Sequence, residues 1–316
     1  MSTEGGTRAI IAALLANLGI AVAKFIGYVV SGSSSMLAES VHSLADCGNQ
    51  VLLLIGGRRA RRAATPEHPF GYGRERYVYA FLVSIILFTV GGMFSIYEGV
   101  HKLQHPEPLE NYWVPIIVLL VAIGLESWSL RTAVRESNHI RGRQSWTQFV
   151  RHAKAPELPV VLLEDCAALL GLFFAMFGVV ATVLTDDGIW DGVGTVCIGV
   201  LLICVAIILG IETKSLLLGE GASSVDNAAI SAAILEGPEV ERLIHMKTLY
   251  LGPDELLVAA KFAVLPQVSA GELTAAINAA EARIRAAVPV ARVIYLEPDL
   301  YRAAAAVAAE PEGPHA

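Results

Sequence analysis

Residues 35–55 read SMLAESVHSLADCGNQVLLLI, an apolar run of helix length broken by four polar groups in register. Glu39, His42, Asp46 and Asn49 are separated by three, four and three residues, a spacing that stacks them on one face of a helix. A run of this length matches the ~20 residues a helix needs to cross the hydrocarbon core of a bilayer. Ionisable groups are costly there, and where they occur they usually mark function. His42 and Asp46, at i and i+4, can offer an imidazole nitrogen and a carboxylate oxygen to the same ion. The bland alternative is a polar stripe that only hydrogen-bonds neighbouring helices.

Outward from this stretch, the chain reads as a membrane protein. Hydrophobic residues make up 54% of its 316 residues and charged ones 17%, against the ~25% charged residues of soluble domains. Six candidate spans follow: 9–30, 36–57, 77–101, 113–131, 159–184 and 189–210. SGSSS (31–35), HPEPLE (105–110) and TDDG (185–188) punctuate the gaps. The opening MSTEGGTR runs straight into the first apolar stretch with no small-residue cleavage site, so that stretch is read as a retained span. Two alternate loops and their margins hold Arg58, Arg59, Arg61, Arg62, Arg74 and Arg76, then Arg131, Arg135, Arg141, Arg143, Arg151 and Lys154. The three opposite loops offer Lys102 alone. The bias turns both termini to the cytosol, with a bacterial inner (plasma) membrane the expected location.

From Glu212 onward the chain carries fourteen Asp/Glu against eight Lys/Arg, so most of the overall net charge of −7 lies there. No basic face for nucleic acid is present. The region alternates as a small α+β domain: a helix over 224–236, strands over 240–251 and 255–265 joined at Gly252-Pro253-Asp254, a helix over 269–288 and a strand over 290–297. The expected organisation is an all-α six-helix transmembrane domain (1–210), a cytosolic α+β, metallochaperone-like domain (211–302) and a frayed tail (303–316). Cys47, Cys166, Cys197 and Cys204 all lie in apolar stretches without CxxC spacing and read as small buried residues. No Ser/His/Asp or HExxH arrangement suggests an enzyme.

The fifth span, PELPVVLLEDCAALLGLFFAMFG (156–178), sets Glu164 beside Asp165 amid apolar residues. Adjacent carboxylates repel each other and resist burial, and a bound cation or a proton relieves both problems. The alternative places the pair at a wetted cytosolic interface. Together the two spans supply one imidazole and two or three carboxylates, a set suited to zinc, iron(II), cobalt or manganese. Calcium and magnesium favour all-oxygen cages, which His42 argues against. Glu39, Asn49 and Asn17 are candidates for supporting contacts or a proton path.

Several motifs in order resemble the cation diffusion facilitator family of metal/proton antiporters, over roughly residues 9–300. SSSMLAESVHSLADCGNQ (33–50) is similar to the family's second-span signature, with its HxxxD as His42 and Asp46. HPFGYGRER (68–76) resembles the HPxGxG segment of the next loop, and LEPD (296–299) the terminal EP pattern. The resemblance implies a homodimer joined through the cytosolic domain, one transport site between the second and fifth spans, alternating access, Zn2+ as transported ion and protons as counter-ion. Fe2+, Mn2+ and Co2+ are the other candidate cargoes, and a degenerate, non-transporting scaffold is the alternative of a different class.

Asp165 matches the aspartate of the family's fifth-span motif, but the position four before it is Val161, which cannot ligate. Glu164 is the obvious substitute, although an adjacent residue points about 100° away around a helix. A local distortion, three protein ligands plus water, or a proton-carrying Glu164 would each reconcile this. A Glu-Asp pair here is similar to the branch that includes a mitochondrial zinc transporter. Of the loop metal site found in some bacterial members, whose positions fall at Thr65, His68 and Tyr72, only His68 is competent, and a turn role suits it better. With only His245 and His315 and no cysteine in the tail, a multi-zinc sensor site is not expected.

Overall fold

The computed structural model describes residues 3–301, with side chains from residue 17 onward. It separates into two compact units, one built on residues up to Arg61 and Glu75–Ser215, the other on Arg62–Arg74 and the chain from Leu216. The expected tail over 303–316 lies outside the described residues.

The first unit is helical. α1 (Thr3–Ser31) and α2 (Ser34–Arg59) form a hairpin. α3 (Glu75–Ile86), a π-helical segment (Leu87–Met93) and α4 (Phe94–Gln104) then run on as one helix. α5 (Trp113–Arg141), the short α6 (Trp146–His152), α7 (Glu157–Thr185) and α8 (Ile189–Leu218) follow. Among the described residues four helices are long and apolar enough to cross a membrane: Glu75–Gln104, Trp113–Arg141, Glu157–Thr185 and Ile189–Leu218. The expected spans 9–30 and 36–57 coincide with α1 and α2. α2 falls outside that set because its polar stripe replaces apolar residues.

Without water to expel, helices in lipid associate through close packing of small residues. Gly99 shows this: a Cβ there would stand 2.8 Å from the backbone nitrogen of Val196 and 3.1 Å from the carbonyl of Gly192 on α8. Gly178 of α7 likewise meets the backbone of Trp190 and Asp191. These approaches surround a core that includes Leu87, Leu119, Leu172, Ile198 and Leu202.

A buried carboxylate fixes the start of α2. Asp191, fully buried near the start of α8, accepts from the hydroxyls of Ser33 (2.8 Å), Ser34 (3.1 Å) and Ser35, and from the backbone N–H of Ser34 (2.6 Å). A negative charge at a helix N-terminus satisfies unpaired donors and complements the helix dipole. Asp191→Ala strands several buried donors at about 1–3 kcal/mol each. It is expected to lower stability by roughly 3 kcal/mol, read as an earlier unfolding midpoint in detergent, with Asp191→Asn losing less.

α6 falls in the Arg-rich segment between two spans and opens with a capping box, Ser145 with Gln148. Its Phe149 is buried against Ala133 and Leu162, and Val161 packs against the same cluster. Position 161 therefore serves the apolar seam between α5, α6 and α7.

The second unit is a three-stranded sheet in the order β1 (Val240–Gly252), β2 (Glu255–Val264), β3 (Ala291–Asp299), with α9 (Ser224–Leu235) and α10 (Ala270–Ala287). β1 and β2 form an antiparallel hairpin closed at Gly252 and Glu255, whereas β2 and β3 are parallel. Parallel neighbours need a crossover, which α10 provides. Leu256, Val258, Ala260 and Phe262 alternate along β2 and bury one face against Ile230, Ile234 and Ile284 of the helices.

The loop 62–74 belongs to this unit, while the sequence boundary at residue 210 leaves it with the helices. Its glycine is the reason: a Cβ on Gly73 would lie 2.7 Å from the carbonyl of Leu251, so only glycine lets the loop backbone reach the tip of the β1–β2 hairpin. His68 sits in the same loop, stacked on Tyr72 with ring centroids 4.6 Å apart, and Arg62 lies over the other ring at 4.4 Å.

Candidate functional site

The polar stripe of α2 is buried, and each member has a different neighbour. Glu39, His42 and Asn49 are fully buried. Glu39 accepts from the ammonium of Lys24 on α1 at 2.8 Å, and Lys24 also donates to Ser43 at 2.8 Å. Lower on the stripe, Asn49 donates to Glu164 of α7 at 2.8 Å. His42 and Asp46 face one another, Nε2 to Oδ2 at 3.5 Å, too long for a well-formed hydrogen bond.

α7 runs unbroken through Glu157–Thr185, so no local distortion brings Glu164 and Asp165 onto one bearing. They diverge as adjacent helical residues should. Glu164 turns to α2 and Asn49, while Asp165 accepts from Ser129 of α5 at 2.9 Å. Both still line one small cavity, walled by Asn17 and Ile20 of α1, Ser43, Asp46 and Gln50 of α2, Glu126 and Ser129 of α5, and Val161, Glu164 and Asp165 of α7. Its volume of about 20 Å³ exceeds the ~10–15 Å³ that admits one water molecule. The space suits one small guest.

Several buried polar atoms here make no hydrogen bond among the described residues: both ring nitrogens of His42, Oδ1 of Asp46, Oε1 of Glu39 and Oδ1 of Asn49. Such atoms are rare and call for a cause, since stranding one costs about 1–3 kcal/mol. A glycine gives Glu39 room: a Cβ on Gly171 of α7 would stand 2.5 Å from its Oε1. Gly91, in the π-helical segment, lies beside His42, where a Cβ would stand 4.0 Å from Nδ1. π-helical turns inside longer helices are frequent at functional sites.

The structure thus gathers Asp46, Glu164, Asp165 and Asn17 around one cavity, with His42 against Asp46. Glu39 is held aside by Lys24, Asn49 stands behind Glu164, and His68 lies in the other unit. Among the described residues no group of three or more His, Cys, Asp or Glu is close enough to hold a metal ion as placed. Asn49 and Ser129 draw the two acids of α7 in different directions. Lys24 and Glu126 escaped the sequence reading, although Lys24 is the lone charge of the expected span 9–30 and Glu126 the lone acid of 113–131.

Comparison with known proteins places the chain. Residues 10–218 match the cation efflux transmembrane domain. The mitochondrial proton-coupled zinc antiporter SLC30A9 of Xenopus laevis is 32% identical over 248 residues, 78% of this chain and 44% of its own length. Metal tolerance protein C4 of Arabidopsis thaliana is 30% identical over 255 residues, covering 80% of this chain and 56% of its own. The zinc transporter ZitB of Pectobacterium atrosepticum is 28% identical over 139 residues, 43% of this chain and 42% of its own. The chain spans about half the length of such relatives. With that domain match and the helices that carry it, this multi-pass membrane protein belongs to the cation efflux, or cation diffusion facilitator, family and is related within it to SLC30A9.

Proposed function

We propose that the protein is a secondary transporter that exports a divalent transition-metal ion, zinc first, from the cytosol in exchange for protons. The observation that carries this reading is a fully buried imidazole, neither nitrogen of which is hydrogen-bonded among the described residues, set against an aspartate that lines a one-guest cavity shared with the acids of α7. His42 and Asp46 provide the fixed half of the site and Asp165 the movable half. Glu164 ligates directly or accepts protons. A divalent cation makes the burial of these carboxylates tolerable, and side-chain rotation away from Asn49 and Ser129 closes the ligands on it.

Six crossings, α1 and α2 included, with both termini in the cytosol of a bacterial inner membrane, agree with the Lys/Arg bias of the loops. α2 and α7, rocking together, expose the cavity first inward and then outward. On the outer side protons displace the ion, because protonated imidazole and carboxylic acid are poor ligands. The second unit serves as the homodimer contact. The names of the relatives, zinc antiporters and zinc transporters, support zinc and proton exchange.

The test is flux into liposomes that carry the purified protein and an internal zinc dye. Zinc entry should accelerate when the lumen is acidic and slow to the rate that the zinc gradient alone drives when an ionophore collapses the pH gradient. Zinc entry indifferent to the gradient contradicts the exchange, and entry no faster than in empty liposomes contradicts transport.

A further inference from the structure

We propose that Glu126 of α5 is a ligand of the transported ion, a third helix's contribution to the site; this rests on the transport-site reading above. α5 is long and apolar enough to cross the membrane, yet it carries this carboxylate within its apolar run. A charge at that depth is costly unless something positive or polar meets it. Glu126 meets the cavity, which it lines together with Asp46, Glu164 and Asp165.

The bearing of α5 is fixed by independent contacts. α5 packs on both α1 and α7. Ser129, three residues on and so on the same face, donates to Asp165 at 2.9 Å. That bond holds the Glu126 side of α5 against the acids of α7. A guest is indicated by Asp46, which lines the cavity and whose buried Oδ1 makes no hydrogen bond among the described residues, and by fully buried His42 beside it, whose ring nitrogens make none either.

Glu126 also resolves the shortfall on α7. One turn before Asp165 stands Val161, packed against the apolar cluster around Phe149, so α7 has no second ligand at that spacing. A carboxylate from the facing helix restores the count: His42 and Asp46 from α2, Asp165 from α7, Glu126 from α5. The set is one nitrogen and three carboxylates. Carboxylate oxygen suits manganese, whereas imidazole and thiolate suit zinc and iron. Glu126 therefore widens the choice of ion towards the harder metals.

The experiment titrates the purified full-length protein with Zn2+ and separately with Mn2+, for wild type, Glu126→Gln, Glu126→Asp and Asp46→Asn, and follows flux of both ions in liposomes. Glu126→Gln should weaken zinc binding about 10-fold and manganese binding about 100-fold, read as a matching rise in KM for each ion. Glu126→Asp should recover most of the loss, which separates ligation from misfolding. Affinities for both ions within about twofold of wild type in Glu126→Gln, with Asp46→Asn binding neither, overturn the assignment and leave the site intact. Unchanged affinity with a shifted pH profile overturns it too, in favour of proton transfer. Wild-type affinity in both Glu126→Gln and Asp46→Asn refutes the transport site itself, and the role of Glu126 with it.

Discussion

Asparagine in place of Asp46 is expected to reduce zinc flux by about 100-fold or more, since losing even an outer-shell partner of a metal ligand costs about 10–100-fold in affinity. The substitution is nearly isosteric and leaves α2 intact, so the loss reports charge and ligation. Asp46 is the one acid of the α2 stripe that lines the cavity, and its buried Oδ1 has no hydrogen-bond partner among the described residues. Glu39 lies on the same stripe but is held by Lys24. Liposome flux and direct titration check the prediction together. Flux and affinity within a few-fold of wild type in Asp46→Asn would remove Asp46 from the site.

Loss of the Lys24 charge should produce the largest change in stability. Lys24 and Glu39 are both 0% exposed and 2.8 Å apart, and they tie α1 to α2 beneath a glycine that leaves no spare room at Glu39. Removing one partner of a buried pair leaves an uncompensated charge, at about 3–5 kcal/mol. Lys24→Met is therefore expected to lower the unfolding midpoint in detergent sharply. Lys24→Met combined with Glu39→Met should recover most of that loss, because two apolar side chains of similar volume replace the pair without stranding either charge. A neutral Lys24→Met would show that water reaches Glu39.

Much of this architecture is legible in the chain itself. The α2 stripe stands out because a three-and-four spacing of polar groups in an apolar run has few other readings, and the acids of α7 stand out because two adjacent charges are costly there. The strands and helices of the second unit lie within two residues of their expected ends, set by the Gly-Pro-Asp turn and by alternation along β2. Other features depend on distant partners. Lys24 is the one charge of its apolar run and Glu126 the one acid of its own, and nothing local says which wall they face. Asp191 stands at the edge of a span, beside the acids of TDDG, and its meaning comes from three serines more than 150 residues away in sequence. The approach of the loop 62–74 to the β1–β2 hairpin is a backbone contact of Gly73 with Leu251 and Gly252, which no local pattern announces. Local signals did exist for two elements that were passed over: the Ser145–Gln148 box ahead of α6, and the Gly91-Gly92 pair in the π-helical segment.

The central claim is that acids from two different helices and a single imidazole close around one cation inside the membrane domain. A structure of the zinc-loaded protein with data collected across the zinc absorption edge tests it most directly. The account predicts an anomalous peak between α2 and α7, about 2.0–2.2 Å from a ring nitrogen of His42 and from carboxylate oxygens of Asp46 and Asp165. Zinc found only in the loop 62–74 or in the second unit, with these side chains unmoved and more than a ligand's length apart, would contradict it.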